Sequence, residues 1–144
     1  MTRYIKAFSW PSNIEVMLRT VVKERPILTV CCGDSPFGDV RLDKENVSCF
    51  FPPDVMGDMS ELPFDDDAFG CVFCDPPWDA SYKKKCADYC KEALRVAPVC
   101  YLMAPWVWGS SAAPLTDCWV RQQPGINNVV VISRYERLRD KEAP

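Results

Sequence analysis

The chain has 144 residues, of which 48% are hydrophobic and 26% charged, and its formal net charge is −3. This length suits one domain with its own core, and the composition excludes a disordered or fibrous chain. The negative charge and a pI near 5.0 also exclude a protein that holds nucleic acid by bulk electrostatics.

The N-terminus and the apolar runs predict a soluble, cytoplasmic protein with no membrane partner. No run approaches the roughly 18 apolar residues that a membrane span needs, and no apolar stretch precedes a cleavage site. We expect residues 1–144 to form a single domain. Residues 1–26 would be a helical lead-in and residues 137–144 a flexible tail.

Apolar spacing predicts a first helix after Ser12, which can cap it, and Arg25-Pro26 should end this helix. Residues 27–32 are a continuous apolar run halted by Gly33. Such a run is typical of a strand that is buried on both faces.

A short second strand is expected at residues 39–43 and a third at 54–58, each ending on a carboxylate. Few residues separate Gly33 from the second strand, too few for the usual crossover helix. The connection is therefore a loop or turn, or the second strand lies instead at residues 47–51. In that alternative Asp43 loses its place at a strand end.

The second half of the chain alternates further strands with a helix. Residues 59–69 contain breakers and predict a turn or short helix. The elements that follow are a buried strand at 71–74, a helix at 81–96, a buried strand at 99–103, and strands at 118–122 and 128–135. This order predicts an α/β, Rossmann-like doubly wound sheet, mostly parallel, with a C-terminal antiparallel hairpin.

Nine cysteines raise the question of disulfides or a metal site. Most lie within apolar runs, and without a secretion signal they should be reduced and buried. Zinc is the sharper alternative, because Cys71 and Cys74 form a CxxC and Cys86 and Cys90 follow. In a strand at residues 70–75, however, the first two thiols point to opposite faces. We therefore expect no metal.

Polar residues follow each of the predicted parallel strands, where ligands bind in open α/β sheets. These residues are the glycine turn at 33–38, then Asp43, then Asp58, and finally Asp75-Pro76-Pro77-Trp78. One edge of the sheet should therefore carry a turn, carboxylates and an aromatic ring. Each piece alone has a plainer interpretation, since Asp-Pro-Pro also stops strands and Asp43 could be a cap or a surface residue.

In this order the motifs resemble those of the class I S-adenosylmethionine-dependent methyltransferases. Within that family, the chain is similar to members whose Asp-Pro-Pro-aromatic motif serves in modifying exocyclic amino groups. The resemblance covers about residues 27–135. Its most specific part runs from Asp58 through the tetrapeptide at 75–78.

The resemblance implies S-adenosylmethionine as cofactor and a position for each of its parts. The turn at Gly33 would approach the methionine part, Asp43 the ribose hydroxyls, and Asp58 with Met59 the adenine. The residues implied in cofactor binding are Cys32, Gly33, Asp34, Ser35, Asp43, Asp58, Met59 and Asp75.

The tetrapeptide also suits methyl transfer to an amine on physical grounds. The lone pair of an aromatic or amide amine is delocalised, so the amine is a poor nucleophile. Asp75 and the carbonyl of Pro76 can accept its two hydrogens and favour a lone pair that points at the methyl group. Pro77 helps to fix the backbone, and Trp78 offers a flat face to a base. We take these four residues as catalytic, and the absence of histidine excludes imidazole catalysis.

The expected substrate is an exocyclic amino group, foremost that of adenine in DNA or RNA. Trp78, Tyr82, Lys83, Lys84 and Lys85 would contact the nucleic acid, although a lysine run is usually a solvated helix face. A protein glutamine amide or a small amine is an alternative substrate, and a non-catalytic cofactor-binding subunit is an alternative role. Since the family's target-recognition region does not fit in this chain, a homodimer or a specificity partner stays open.

Overall fold

A computed structural model describes residues 12–46, 50–77, 80–109, 113–122 and 129–138, without the side chains of residues 12, 13 and 80–84. In chain order the elements are helix α1 (Ser12–Val21), strands β1 (Ile27–Val30), β2 (Val40–Asp43), β3 (Val55–Met56) and β4 (Cys71–Cys74), helix α2 (Ala80–Val96), and strands β5 (Val99–Ala104), β6 (Leu115–Gln122) and β7 (Val129–Glu136). No helix in these ranges is long and apolar enough to cross a membrane.

The strands form one seven-stranded sheet in the order β3-β2-β1-β4-β5-β7-β6. Strands β1 to β5 are mutually parallel, whereas β7 runs antiparallel to both β5 and β6. This confirms the predicted Rossmann-like, mostly parallel sheet with its C-terminal hairpin. Because parallel strands end on the same side, β1 to β5 share one edge, called here the carboxyl edge.

Each face of the sheet is covered by one of the two described helices. On the α1 face, Phe73 and Tyr101 pack with Leu18 of the first helix. On the α2 face, Val72 and Leu102 pack with residues of the second helix. The inner strands are therefore buried on both faces, as their continuous apolar sequences predict.

The same alternation separates the two thiols of the CxxC. Cys71 belongs to the core of the α1 face and Cys74 to that of the α2 face, so they cannot hold one ion together. Within the described ranges, no group of three metal-ligating side chains comes together.

The second strand is the one predicted at 39–43 and begins at Val40, whereas the alternative at 47–51 is wrong. Of that alternative, residues 47–49 lie outside the described residues, and 50–51 form a bend rather than a strand. The third strand is shorter than predicted, and Asp58 lies beyond it in an isolated bridge with Glu61. The first hairpin strand begins at Leu115 rather than at 118.

Helix α1 ends at Val21, earlier than the predicted end at Arg25-Pro26. Three residues further on, the carboxylate of Glu24 reaches strands β5 and β7. It accepts hydrogen bonds from the hydroxyl of Tyr101 at 2.6 Å and from the guanidinium of Arg134 at 2.7 Å. Burial raises the pKa of Glu24, but these hydrogen bonds outweigh burial and the net pKa is lowered.

Residues 31–39 connect β1 to β2 without a helix, so the chain returns along β1 itself. The hydroxyl of Thr29 donates to the carbonyl of Phe37 at 2.8 Å, and the amide of Asp39 donates to the carbonyl of Ile27 at 2.9 Å. Gly38 permits this close approach with a φ of 108°. A Cβ at this position would lie 2.2 Å from the hydroxyl oxygen of Thr29.

Gly38→Ala should therefore destabilise the protein, since it adds both a clash and a left-handed backbone strain of about 1 to 3 kcal/mol. The matched control is Gly109→Ala, because a Cβ there meets nothing within 4 Å. Urea unfolding followed by circular dichroism measures both variants. Equal midpoints for the two would contradict the close packing described for the 31–39 connection.

Candidate active site at the carboxyl edge

The ends of four neighbouring parallel strands are tied together at the carboxyl edge. The amide of Gly33 donates to the carboxylate of Asp43 at 3.0 Å, and the amide of Gly57 donates to the carbonyl of Asp43 at 3.0 Å. The amide of Asp75 donates to the carbonyl of Val30 at 3.4 Å. The turn after β1, the end of β2, the segment after β3 and the residues after β4 therefore lie side by side.

Asp43 shapes the glycine turn as well as ending β2. One carboxylate oxygen accepts the Gly33 amide, and the other accepts the amide of Lys44 at 2.7 Å. The backbone at Cys31 (φ 56°) and Gly33 (φ 53°) is left-handed, which turns the chain sharply after the strand. Because a carboxylate has about four acceptor positions, Asp43 retains capacity for hydroxyl groups of a ligand.

Three of the predicted cofactor residues, Cys32, Asp34 and Ser35, are buried. Cys32 is buried, and burial raises the pKa of its thiol to about 11. Asp34 is buried too, and its carboxylate accepts the amides of Phe50 and Phe51 at 3.0 and 2.7 Å. The hydroxyl of the buried Ser35 accepts a backbone amide two residues further on. These described contacts shape the loop, and cofactor contact by the three residues stays a prediction.

The segment after β3 brings Asp58 and Met59 to the same edge. The carboxylate of Asp58 accepts the amide and the hydroxyl of Ser60 at 2.8 and 2.7 Å, and these hydrogen bonds lower its pKa. The sulfur of Met59 lies 3.9 Å from the thiol of Cys31. This contact joins the segment directly to the turn after β1.

A pair of charged residues on α2 holds this segment in place. The carboxylate of Glu92 accepts the amide of Leu62 at 2.9 Å. The guanidinium of Arg95 donates to the carbonyls of Leu62 and Phe64 at 3.0 and 2.9 Å, and it also pairs with Glu92 at 2.8 Å. This clamp was not predicted from the sequence. The only signal was the spacing of three between two opposite charges on a helix, which is common on solvated faces.

Beneath the segment lies a small apolar recess between the sheet and α2. It has room for about one water molecule, which is far too little for an adenine ring. The recess is lined by Val30, Met59, Leu62, Val72, Cys74, Tyr89, Cys90, Ala93 and Cys100. Among the described residues, this recess therefore offers an apolar floor to a ligand above it.

The residues after β4 begin beside the turn. Asp75 is half-buried, Pro76 is buried and Pro77 is exposed. Strand β5 pairs with β4 as far as Leu102 opposite Cys74 and continues to Ala104, so its end flanks the tetrapeptide. Trp78, the fourth predicted catalytic residue, lies outside the described residues.

The predicted nucleic-acid residues lie at the start of α2, just after the tetrapeptide. Tyr82, Lys83 and Lys84 belong to this helix, but their side chains are outside the description. Lys85 is exposed. Together with Lys44, it adds a smaller electrostatic lowering to the pKa of Asp58, so both ammonium groups are close enough for their charge to act on that carboxylate.

The chemistry of the edge fits S-adenosylmethionine. Its predicted polar side chains include three hydrogen-bond acceptors, the carboxylates of Asp43, Asp58 and Asp75. Such acceptors suit ribose hydroxyls, and their negative charge suits a positively charged sulfonium. The left-handed turn at Gly33 brings backbone rather than a side chain to the rim. These carboxylates and this turn are the kinds of group that the sequence motifs imply for cofactor contact.

Comparison with known proteins identifies the fold but no sequence family. No family model matches the chain, and no curated protein matches it. Among solved structures, TrmN from Thermus thermophilus has a TM-score of 0.62 at 15% identity over 86% of this chain. The chain spans only 48% of the length of that TrmN.

Two further structures are similar over nearly their full lengths. PH1948 from Pyrococcus horikoshii, provisionally described as an RNA methyltransferase, has a TM-score of 0.56 at 11% identity, covering 96% of this chain and 100% of its own. The other is a protein provisionally described as a methyltransferase, in complex with the Haloferax volcanii Trm112 methyltransferase activator. Its TM-score is 0.54 at 10% identity, with 90% coverage of both chains. The chain thus has the Rossmann-like fold found in methyltransferases.

The clamp on α2 predicts a local pH response in residues 62–66. The hydrogen bonds from Arg95 hold the pKa of Glu92 below its ordinary value of 4.5, so its stabilising effect is complete above pH 4.5 and is lost as pH falls below it. Hydrogen-exchange protection of the Leu62 amide, corrected for intrinsic rates, should therefore drop as pH falls from about 4.5 towards about 3.

The control for this effect is Glu92→Gln, whose amide oxygen can still accept the Leu62 amide but does not titrate. Its protection at residue 62 should be lower than that of the wild type at neutral pH and should change little on acidification. A drop of equal size in both proteins would assign the pH response to another group.

Proposed function

We propose that this protein is an S-adenosylmethionine-dependent methyltransferase that acts on an exocyclic amino group, most specifically that of adenine in DNA or RNA. One observation carries the proposal. The glycine turn held by Asp43 and the strand-end sequence Asp75-Pro76 occupy neighbouring positions on one edge of the sheet. A methyl donor and its acceptor amine need such adjacent sites.

In this proposal the cofactor is bound by residues from three strand ends. The turn around Gly33 would hold its methionine part, Asp43 would accept its ribose hydroxyls, and Asp58 with Met59 would hold its adenine. The clamp of Glu92 and Arg95 fixes the last segment before the cofactor arrives, which reduces the entropy that binding would otherwise cost. When bound, the cofactor supplies an electrophilic methyl group.

Asp75 then prepares the amine. Its carboxylate accepts one N–H hydrogen and the carbonyl of Pro76 accepts the other, so that the nitrogen lone pair turns out of conjugation. Because Pro76 is buried and fixes its own φ, the backbone carbonyl needs little reorganisation. After transfer, the excess proton leaves the nitrogen by way of Asp75. Trp78 stacks on the base.

A nucleic-acid substrate is favoured by the charges around this edge. Lys85, together with Lys83 and Lys84 on the same helix, places positive charge just after the tetrapeptide, and Lys44 adds another beside Asp43. With an overall charge of −3, attraction for phosphates would depend on local positive patches such as this one. Binding should therefore be weak, salt-dependent and poor in sequence specificity unless a partner contributes.

Asp75→Ala should lower methyl transfer by about 100-fold or more, because the amine loses its main acceptor while the cofactor keeps Gly33, Asp43 and Met59. The matched control is Asp88→Asn, which removes an exposed carboxylate on α2. Transfer of labelled methyl groups and calorimetry with S-adenosylmethionine and S-adenosylhomocysteine measure the two effects separately. Undiminished transfer by Asp75→Ala would refute the assigned role.

The substrate class is tested with labelled cofactor offered to single-stranded DNA, RNA, a protein extract and free adenosine. Label in nucleic acid that digestion recovers as N-methyladenine is the expected result. Label recovered in protein or in the small molecule alone would assign the other substrate. Cofactor binding without turnover on any of them, with activity restored by a cellular partner, would indicate the supporting-subunit role.

A further inference from the structure

Strand β6 ends the sheet and carries a free hydrogen-bonding edge. It spans eight residues and, among the described strands, pairs with β7 alone. Its side chains are exposed except that of Trp119, which is half-buried and stacks on Tyr101. Val120 is 52% exposed. A long, exposed edge strand with apolar side chains is a template for pairing with another strand.

The charges on this strand are arranged symmetrically about its aromatic residue. Asp117, Trp119 and Arg121 alternate with the exposed Cys118 and Val120, so the first three share one face of the sheet. Trp119 belongs to the α1 face, which places the carboxylate and the guanidinium on that face too. The register with β7 shifts only between Leu115 and Asp117, so the strand is regular from Asp117 onward.

Arg121 is available for a carboxylate from outside the chain. Its guanidinium donates to the neighbouring carbonyl of Val120 at 3.0 Å, and it forms no ion pair within the described residues. Within the described ranges, the ion-pair contact of Asp117 is a long one of 4.0 Å with Arg134, which is itself held at 2.7 Å by Glu24. Among the described contacts of one chain, both charges are thus weakly engaged.

We propose that β6 pairs antiparallel with β6 of a second copy of this chain, with Trp119 at the twofold axis. In this register Asp117 of each copy lies opposite Arg121 of the other, and Cys118 lies opposite Val120. Opposite charges that face each other across antiparallel strands stabilise a pair.

The neighbouring registers lack this match. If the axis passes through Cys118, Asp117 lies opposite Trp119 of the other copy. If it passes through Val120, Arg121 lies opposite Trp119 of the other copy. Moving it further, to Asp117 or Arg121, sets like charges opposite each other, which is destabilising. The charges therefore select one register, and the resulting sheet is continuous through both copies.

The first test is the mass in solution, measured by light scattering and sedimentation. The wild-type chain should have twice the monomer mass of 16.4 kDa. Arg121→Glu sets two carboxylates opposite each other and should halve that mass, and the double variant Asp117→Lys, Arg121→Glu should restore the dimer. Lys91→Glu, an equal charge change on exposed α2, should leave it intact. A wild-type chain that stays monomeric, or an unaffected Arg121→Glu variant, overturns the proposal.

The second test traps the register with disulfides. Residues that face each other across antiparallel strands have Cα atoms about 4.5 to 5.5 Å apart, within reach of a disulfide. In Val120→Cys, the introduced thiol lies opposite Cys118 of the other copy. Oxidised glutathione should therefore convert the two thiols to an interchain disulfide and release reduced glutathione.

Gln122→Cys is the matched control, since residue 122 is exposed on the same face of the strand but lies diagonal to Cys118 of the other copy. A covalent dimer of Val120→Cys that forms much faster than that of Gln122→Cys supports the register. Equal rates, or faster trapping by Gln122→Cys, overturn it. Neither test depends on methyl transfer, so the dimer and the proposed activity fail or hold separately.

Discussion

The close packing of Gly38 against Thr29 is the constraint on which the site depends. The connection after β1 must reach the carboxyl edge, turn there and return to the start of β2 within residues 31–39. A helix does not fit in that length, so the chain returns along β1. The carbonyl of Phe37 accepts from the hydroxyl of Thr29, and the amide of Asp39 donates to the carbonyl of Ile27. Asp43 can then receive the Gly33 amide, because β2 starts in register with Leu28. The short length of the 31–39 connection thus determines where the carboxylate of Asp43 lies.

Most of the fold follows from patterns that are local in the sequence. The continuous apolar runs at β1, β4 and β5 are long enough and well enough bounded to predict buried parallel strands, and the spacing of α2 predicts a helix. One difference lies beside a contact between residues that are far apart in the sequence. Helix α1 ends before the predicted Arg25-Pro26, and Glu24 beyond its end bonds to Tyr101 and Arg134. Nothing in the residues around 24 indicates such partners.

At the site, too, some features follow from the sequence and others depend on packing. The positions of Gly33, Asp43 and Asp75 at one edge follow from strand ends alone. In the structure the Gly33 amide bonds to the Asp43 carboxylate, and the Asp75 amide bonds to Val30 at the end of the neighbouring strand. The orientation of individual side chains does not follow. Asp34 was predicted from its place in the motif, yet its carboxylate binds amides of a segment about sixteen residues further on, because the loop folds back over it. The sequence motifs therefore predict where the backbone of a residue lies better than they predict which atoms its side chain contacts.

Helix α2 joins two regions of the molecule that otherwise belong to different loops. Lys85 lies near its beginning and Arg95 near its end, and the latter is bonded to the carbonyls of Leu62 and Phe64. Because α2 is one continuous helix, its beginning near the carboxyl edge and the segment bonded to its last turn are parts of one rigid element. In the proposed function, a polyanion bound at the lysines would therefore contact the same element that holds the segment beside Met59.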